Sequence, residues 1–442
     1  MTLRRSPFLL ACLGLGLAAG SAAPAQESAA KLTPGNFTPI FNGKDTTGWV
    51  GMPHKDPRDL AEMPEVVRAR QFASWTEEAL KHWSVQGGEL VNDGEGPYLT
   101  SVKAYGDIQL HIEYKTVPKA DSGIYLRACP QVQIWDFTPG GGKQNIGSDK
   151  GSGGLWNNSP GAPGKDPLVF ADKPFGEWNE LDITQVGART SVALNGKLVV
   201  DHALMENFFE RKAPLFVKGP IQLQTHGGEI RWRNILVREI PAEEANKMLA
   251  AKNPEGFDPI SAKGLEGWAG PVENYEIVDG AIRCKAGTGG TIYYKKEYAD
   301  FVARLEFRLP PAGNNGLAIR YPGKGDTAYE GMCELQVLDN TSPKYAKIDP
   351  RQRHGSAYGI APAEPGYLRP VGEWNFQEVT VKGSKIKVEL NGTVILDADL
   401  APIQDYMAKS AHPGKGRTSG YFGFAGHGDP VEFRNVAIKP LP

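Results

Sequence analysis

The feature that most constrains this chain is an internal repeat. DSGIYLR (121–127), QVQIWD (131–136), FGEWN (175–179), LNGK (194–197) and RWRNI (231–235) run through the first half. NNGLAIR (314–320), ELQVLD (334–339), VGEWN (371–375), LNGT (390–393) and EFRNV (432–436) follow in the same order in the second. The offset stays near ~200 residues, far longer than a solenoid unit, so the repeats are tandem domains rather than an array. The 442 residues suit this organisation, being too many for one ordinary β core and comfortable for two.

Each half reads as strands. In 301–309 the apolar positions Phe301, Ala303, Leu305, Phe307 and Leu309 alternate with Arg304, Glu306 and Arg308, and Ile108, Leu110, Ile112 and Tyr114 repeat the pattern. A period of two buries one face and wets the other, as in antiparallel sheets. Asn195-Gly196 and Asn391-Gly392 sit between such runs and supply the positive φ angles of tight hairpins. With 53 Gly and 34 Pro, the chain is predicted to be all-β, each half a sandwich or jelly roll. Two segments depart from this. Residues 59–83 are helix-compatible and have no counterpart in the second half, and 242–251, between Pro241 and Pro254, read as a short linker helix. The expected units are a leader over 1–25, a first sandwich over 35–240, a linker over 241–254 and a second sandwich over 255–442.

Arg4 and Arg5 precede an apolar run over 7–19, and Ala23-Pro24-Ala25 fits a small-residue cleavage site, so export to the periplasm or outside is expected. The rival reading is a lipoprotein box at Leu9-Leu10-Ala11-Cys12. No run is long and apolar enough to predict a transmembrane segment. Balanced charge, 49 basic against 51 acidic residues, leaves no surplus to neutralise phosphates, which argues against nucleic acid as a partner. Cys129, Cys284 and Cys333 show no C-x-x-C spacing, which argues against zinc, and Cys284 and Cys333 are either a disulfide or buried thiols. The oligomeric state is open.

These landmarks, with FNGK (41–44) before Gly48-Trp49, WSVQGGEL, YEIVDGAI, GEWN in both halves and LQTHG (223–227), resemble the 3-keto-disaccharide hydrolase domain family. The resemblance covers nearly all of the chain beyond the leader, once per half. It implies two tandem concanavalin-like β-sandwiches, a carbohydrate or glycoside substrate, and hydrolase-type cleavage of 3-keto-glycosides.

Such cleavage sets chemical requirements. A ketone at C3 acidifies the hydrogen on C2; a base removes it, the C1 oxygen leaves by elimination, and water adds back. The site needs a base tuned near neutral pH, a donor at the developing enolate oxygen and an acid for the leaving group. In the second half, Glu334 and Gln336 are two apart on a strand-like run and share a face, with Asp339 just beyond. Glu334 is the candidate base. Arg320 is a candidate partner for it or for an oxyanion, His427 and Tyr358 lie in FAGHG and GSAYG, and His354 precedes the latter. In the first half, Gln131 stands at the Glu334 position, while Gln133, Asp136 and Arg127 match Gln336, Asp339 and Arg320. A Gln amide accepts no proton at neutral pH, so the first half is a binder or uses another base, for which His226 is the candidate. Gln224, Trp135 and Trp156 are candidate sugar contacts, the tryptophans through their faces. Trp178, Trp232 and Trp374 fall at repeat landmarks and read as structural. No cofactor is required; a hard cation held by Asp136, Asp339, Asp149 or Asp166 is the alternative, without Ca²⁺-loop spacing to support it. The rival functions are a non-catalytic carbohydrate-binding pair and a cell-envelope interaction module.

Overall fold

The computed structural model describes residues 34–129 and 131–442. The expected leader and its rival lipoprotein box lie outside the described residues. Four antiparallel sheets form two sandwiches. In the first, a five-stranded sheet orders Trp49–Met52, Tyr98–Tyr105, Gly219–Leu223, Asp121–Tyr125 and Gln131–Trp135. In the second, Trp268–Ala269, Gly290–Tyr298, Gly420–Gly426, Asn314–Tyr321 and Cys333–Leu338 take the same places. Apart from Thr38–Pro39, an extra short strand on Ile230–Glu239 in the first, the facing sheets correspond strand for strand as well. Ile108–Thr116 lies between Asn179–Val186 and Ile230–Glu239, just as Phe301–Arg308 lies between Trp374–Lys382 and Glu432–Pro440.

Alternation places the core. In Ile108–Thr116 every second residue is buried, and Leu110 and Ile112 meet Val132, Ile134 and Ile124 of the opposite sheet. Leu305 and Phe307 do the same against Leu317, Leu335 and Val337. Asn195 and Asn391 adopt φ of 52° and 49°, followed by Gly196 and Gly392 at 77° and 81°, the two left-handed positions of a tight hairpin. Cys129, Cys284 and Cys333 are free and buried, so no disulfide links Cys284 to Cys333.

The helix-compatible segment over 59–83 forms two helices, Pro57–Glu62 and Glu65–Ala79, and Trp83 already belongs to a strand. Pro64 separates the helices because a proline nitrogen donates no hydrogen bond. The longer helix lies against the edge strand Trp49–Met52: the Gly51 amide donates to Thr76 Oγ1 at 3.0 Å. A β-carbon at position 51 would stand 2.1 Å from the Trp75 carbonyl oxygen, so the approach demands glycine.

The predicted helix over 242–251 is present as Ala242–Ala251. Its Ala245 and Leu249 pack with Ile240 and Val186 of the first sandwich and Phe376 of the second. Arg189 Nε donates to Glu389 Oε1 at 2.9 Å across the same junction, and the hairpin backbones meet where Ala188 N donates to Gly392 O at 3.0 Å.

Candidate active site

Both pockets lie on the outer face of a five-stranded sheet, on equivalent strands. In Cys333–Leu338, Leu335 and Val337 enter the core while Glu334, Gln336 and Leu338 face outward, as period two requires. With His427, Asn314, Gln352, Tyr345 and Tyr358 they line a cavity of about 360 Å³. In Gln131–Trp135, Val132 and Ile134 are core, and Gln131, Gln133 and Trp135 line a cavity of about 260 Å³ with Asp121, Tyr125, Lys143, Trp156, Gln224 and His226. These volumes fall near the lower end of small-molecule clefts.

Each pocket holds a carboxylate–imidazole pair, but the carboxylate comes from different strands. In the second, His427 Nε2 lies 3.2 Å from Glu334 Oε1. Glu334 is buried on the pocket floor, and among the described residues its Oε2 accepts no hydrogen bond. Gln336 turns instead to Asn314, its Nε2 2.6 Å from Oδ1. In the first, His226 Nδ1 lies 2.7 Å from Asp121 Oδ2. That carboxylate is more heavily engaged: Oδ1 accepts from Gln133 Nε2 at 2.8 Å, and Oδ2 also accepts from Lys143 Nζ. Asp121 occupies the position of Asn314, and Gln131 that of Glu334, so acid and amide have exchanged places between neighbouring strands.

Small residues make room for these groups. A β-carbon at Gly316 would stand 2.1 Å from Glu334 Oε1, and one at Gly123 2.8 Å from Gln131 Oε1. The electrostatics follow the pairs. The hydrogen bond to Glu334 raises the pKa of His427 against the opposing effect of burial, and the bond to Asp121 does the same for His226. Burial alone would raise the Asp121 carboxyl, but His226 and Lys143 more than offset it and hold it low.

The remaining candidates divide clearly. Trp135 donates its indole N–H to Gly151 O at 2.8 Å and packs edge-on to Trp156, ring centres 5.0 Å apart. Trp156 is partly exposed beneath Lys165, whose Nζ lies 4.0 Å from the ring centre. Gln224 reaches Tyr98 Oη at 3.3 Å, and Tyr358 Oη accepts from Gln352 Nε2 at 3.3 Å. The arginines lie elsewhere. Arg320 does not meet Glu334: its guanidinium is buried against the carbonyls of Ala299, Gly383 and Arg417 and pairs with Asp300 at 2.8 Å. Arg127 binds the Phe216 and Gly106 carbonyls and Asp107 in the same manner. Asp136 and Asp339 also lie outside both cavities. Asp136 accepts from the Thr138 and Lys119 amides, and Asp339 from those of Thr341 and Ala312. They pin the loops that follow their strands. His354 is buried on Phe307, its pKa pushed down to about 3 by burial. Trp232 is core, and Trp178 and Trp374 carry the guanidiniums of Arg233 and Arg434 at 4.0 Å.

For a cation, the proposed carboxylates do not converge, since Asp166 is taken by Lys150 and Asp136 and Asp339 by backbone amides. Among the described residues, one group able to hold a metal gathers His111, Glu180 and Asp182, on the other sheet of the first sandwich. The repeat suggests a plainer role: His111 Nδ1 and Asp182 Oδ1 pair at 2.7 Å where Arg304 Nε and Glu378 Oε2 pair at 2.7 Å in the second sandwich.

Sequence reading missed Asp121 and Lys143. The signal for Asp121 lay in comparing DSG with NNG one strand over from the Gln131/Glu334 difference. Lys143 carried none, because it stands in a run of short turns with no matched landmark.

The chain is similar to several known proteins. A curated relative, the 3-keto-disaccharide hydrolase of Bacteroides thetaiotaomicron, is 25% identical over 246 residues, covering 46% of this chain and 85% of its own. Among solved structures, one named "Putative glycosyl hydrolase" from Parabacteroides distasonis is 26% identical, with 42% of this chain and 99% of that one covered and a TM-score of 0.39. A second from that organism is 24% identical, with 46% and 99% covered and a TM-score of 0.38. Among the described residues, no helix is long and apolar enough to cross a membrane. The model of the 3-keto-alpha-glucoside-1,2-lyase-like domain matches residues 36–238 and again 256–439, and the chain therefore belongs to that family, with one copy in each sandwich.

Proposed function

We propose that the protein is an exported enzyme that cleaves 3-keto-glycosides by elimination followed by hydration, with hydrolysis as the net result. The observation that carries this reading is the carboxylate–imidazole pair in both pockets, Glu334–His427 and Asp121–His226. Each pair offers a group to take the C2 proton and a group to return one to the leaving oxygen, one imidazole serving both steps in the first pocket. In the second pocket Glu334 is the base, because its unengaged oxygen can accept a proton, and His427 is the acid. In the first, Asp121, which already accepts from Gln133, Lys143 and His226, orients the imidazole through Nδ1, leaving Nε2 of His226 as the atom that moves the proton. Gln131, Gln133, Gln224, Trp135 and Trp156 there, with Gln336 and Tyr358 in the second, form the sugar-binding surface. We place the sandwich boundaries at 35–240 and 255–442 with the linker between. The elimination and the hydration involve no net change of oxidation state, and the reading assigns no role to a cofactor.

The test is incubation of the full chain with matched glycosides and their 3-keto forms, following aglycone release. Release from the keto forms alone is expected, because without the ketone the C2 hydrogen is not acidic enough to remove. Equal turnover of both would replace elimination with paired-carboxylate hydrolysis. Binding without release from either would favour the reading as a non-catalytic carbohydrate-binding pair, for which Gln131 in place of Glu334 already speaks in the first pocket.

A further inference from the structure

The two pockets differ in one group that the reaction could use directly. We propose that Lys143 carries the negative charge that develops on the ketone oxygen in the first pocket, so that this pocket enolises its substrate without a carboxylate base. The inference rests on the 3-keto reading above and adds to it the identity of the charge-stabilising group.

The geometry gathers the parts. Lys143 Nζ and His226 Nδ1 both donate to Asp121 Oδ2, so ammonium and imidazole lie within roughly 5–6 Å of each other around one oxygen. In a 3-keto sugar the C2 hydrogen and the O3 oxygen stand on adjacent carbons, within reach of two groups so placed. Asp121 takes one of the three ammonium donors, and the Lys143 side chain is about one-third exposed on the cavity wall. Among the described residues the second pocket is lined by no ammonium. There the neighbouring Lys344 lies with its Nζ 4.9 Å from the centre of the Tyr345 ring, and the donors beside His427, which is already assigned to the leaving oxygen, are the neutral Asn314, Gln336, Gln352, Tyr329, Tyr345 and Tyr358.

The step balances. His226 Nε2 takes the C2 proton, the C–H pair becomes the C2=C3 bond, and the carbonyl pair moves onto O3 beside Lys143. The enolate then collapses: the O3 pair restores the ketone, the C2=C3 pair becomes C1=C2, and the C1–O pair leaves with the glycosidic oxygen, which takes the proton from His226. Water adds to C1 and a proton returns to C2, so one water is consumed overall. An ammonium at the oxygen stabilises charge present only after proton removal, which lowers the barrier rather than tightening ground-state binding.

The test uses the full chain carrying Glu334→Gln, which silences the second pocket. Exchange of the C2 hydrogen of a 3-keto-glycoside for deuterium is followed by NMR in D₂O, beside aglycone release. Lys143→Met is expected to slow exchange about 10²-fold with KM little changed, while Lys143→Arg keeps most of it. A second readout is the acidic limb of the rate profile. Lys143 opposes protonation of His226, so its loss moves that limb to higher pH. Exchange at the parent rate in Lys143→Met overturns the proposal. So does an equal loss in the Met and Arg variants with the limb unmoved, which would make Lys143 a structural partner of Asp121. Failure of the unmodified chain to exchange C2 at all would instead bring down the 3-keto reading, and with it this proposal.

Discussion

The second pocket keeps its acid at Glu334, on the last strand of the sheet, with one oxygen engaged by His427 and the other without a hydrogen bond among the described residues. The first keeps its acid at Asp121, one strand inward, with Gln133, His226 and Lys143 all donating to it. The scaffold is the same, yet the proposed proton-accepting atom differs, a carboxylate oxygen in one and a ring nitrogen in the other. A carboxylate absent from one aligned position thus stands at its neighbour across the ladder. A Gln for Glu replacement read alone suggests a dead site; read with Asp for Asn across the ladder, it describes a rearranged one.

The largest test of this difference is to silence the pockets separately in the full chain. Glu334→Gln preserves size and hydrogen bonding but removes basicity, and it should reduce the second pocket's turnover by ~10²–10⁴-fold with sugar binding nearly intact. His226→Asn should do the same to the first. Each single variant should retain the other pocket's share of aglycone release, and the double variant should fall to background. A single substitution that abolishes all release would show that only one sandwich works.

A smaller effect separates the roles of the two imidazoles. His427, facing Glu334, Asp326 and Asp429, must be protonated to serve as the acid. His226, facing Asp121 and Lys143, must be neutral to accept a proton. Both pKa values are raised above the ordinary ~6.5. With the first pocket silenced, kcat/KM should therefore fall as pH climbs through the raised His427 value. With the second silenced, it should climb through that of His226, each limb changing about tenfold per pH unit. Parallel limbs would mean that both pockets use the same protonation state.

The smallest concerns the scaffold. His111–Asp182 and Arg304–Glu378 are equivalent ion pairs, but only the first can titrate near neutrality. Pairing raises His111 above its unfolded value, so its stabilisation is complete below that value and vanishes as pH rises through the folded one. Urea unfolding should show His111→Gln costing up to about 1 kcal/mol in mild acid and nothing in mild alkali. Arg304→Gln should cost a similar amount at both. A His111 effect that grows with pH would contradict the ion pair.

The architecture was legible because two independent periodicities agreed. Alternation in Ile108–Thr116 and Phe301–Arg308 set the faces, and the ordered repeat fixed their equivalence. The outward row Glu334, Gln336 followed from the same alternation. What failed was pairing at a distance. Arg320 reads as a partner for Glu334 in a linear sequence, but at φ 48°, one residue before its strand ends, it turns its side chain to Asp300 and to the carbonyls of Ala299, Gly383 and Arg417. Asp339 is one residue beyond the outward-facing Leu338 and looks functional until its oxygens are seen to close a turn. Lys143 was invisible because loop side chains reach a site through a path that no periodicity encodes.

The helix Glu65–Ala79 bears on how the chain is made. A duplicated protein runs the risk that a strand of the later half pairs into the earlier half while both are incomplete, a recurrent failure of tandem repeats. The strand Gly290–Tyr298 has the same place in its sheet as Tyr98–Tyr105, and that place lies beside the edge strand Trp49–Met52. Helix Glu65–Ala79 lies against that edge strand, so a strand of the later half would have to displace it to pair there. The insertion found in one copy alone thus covers the edge at which the duplicated sequence could mispair with itself.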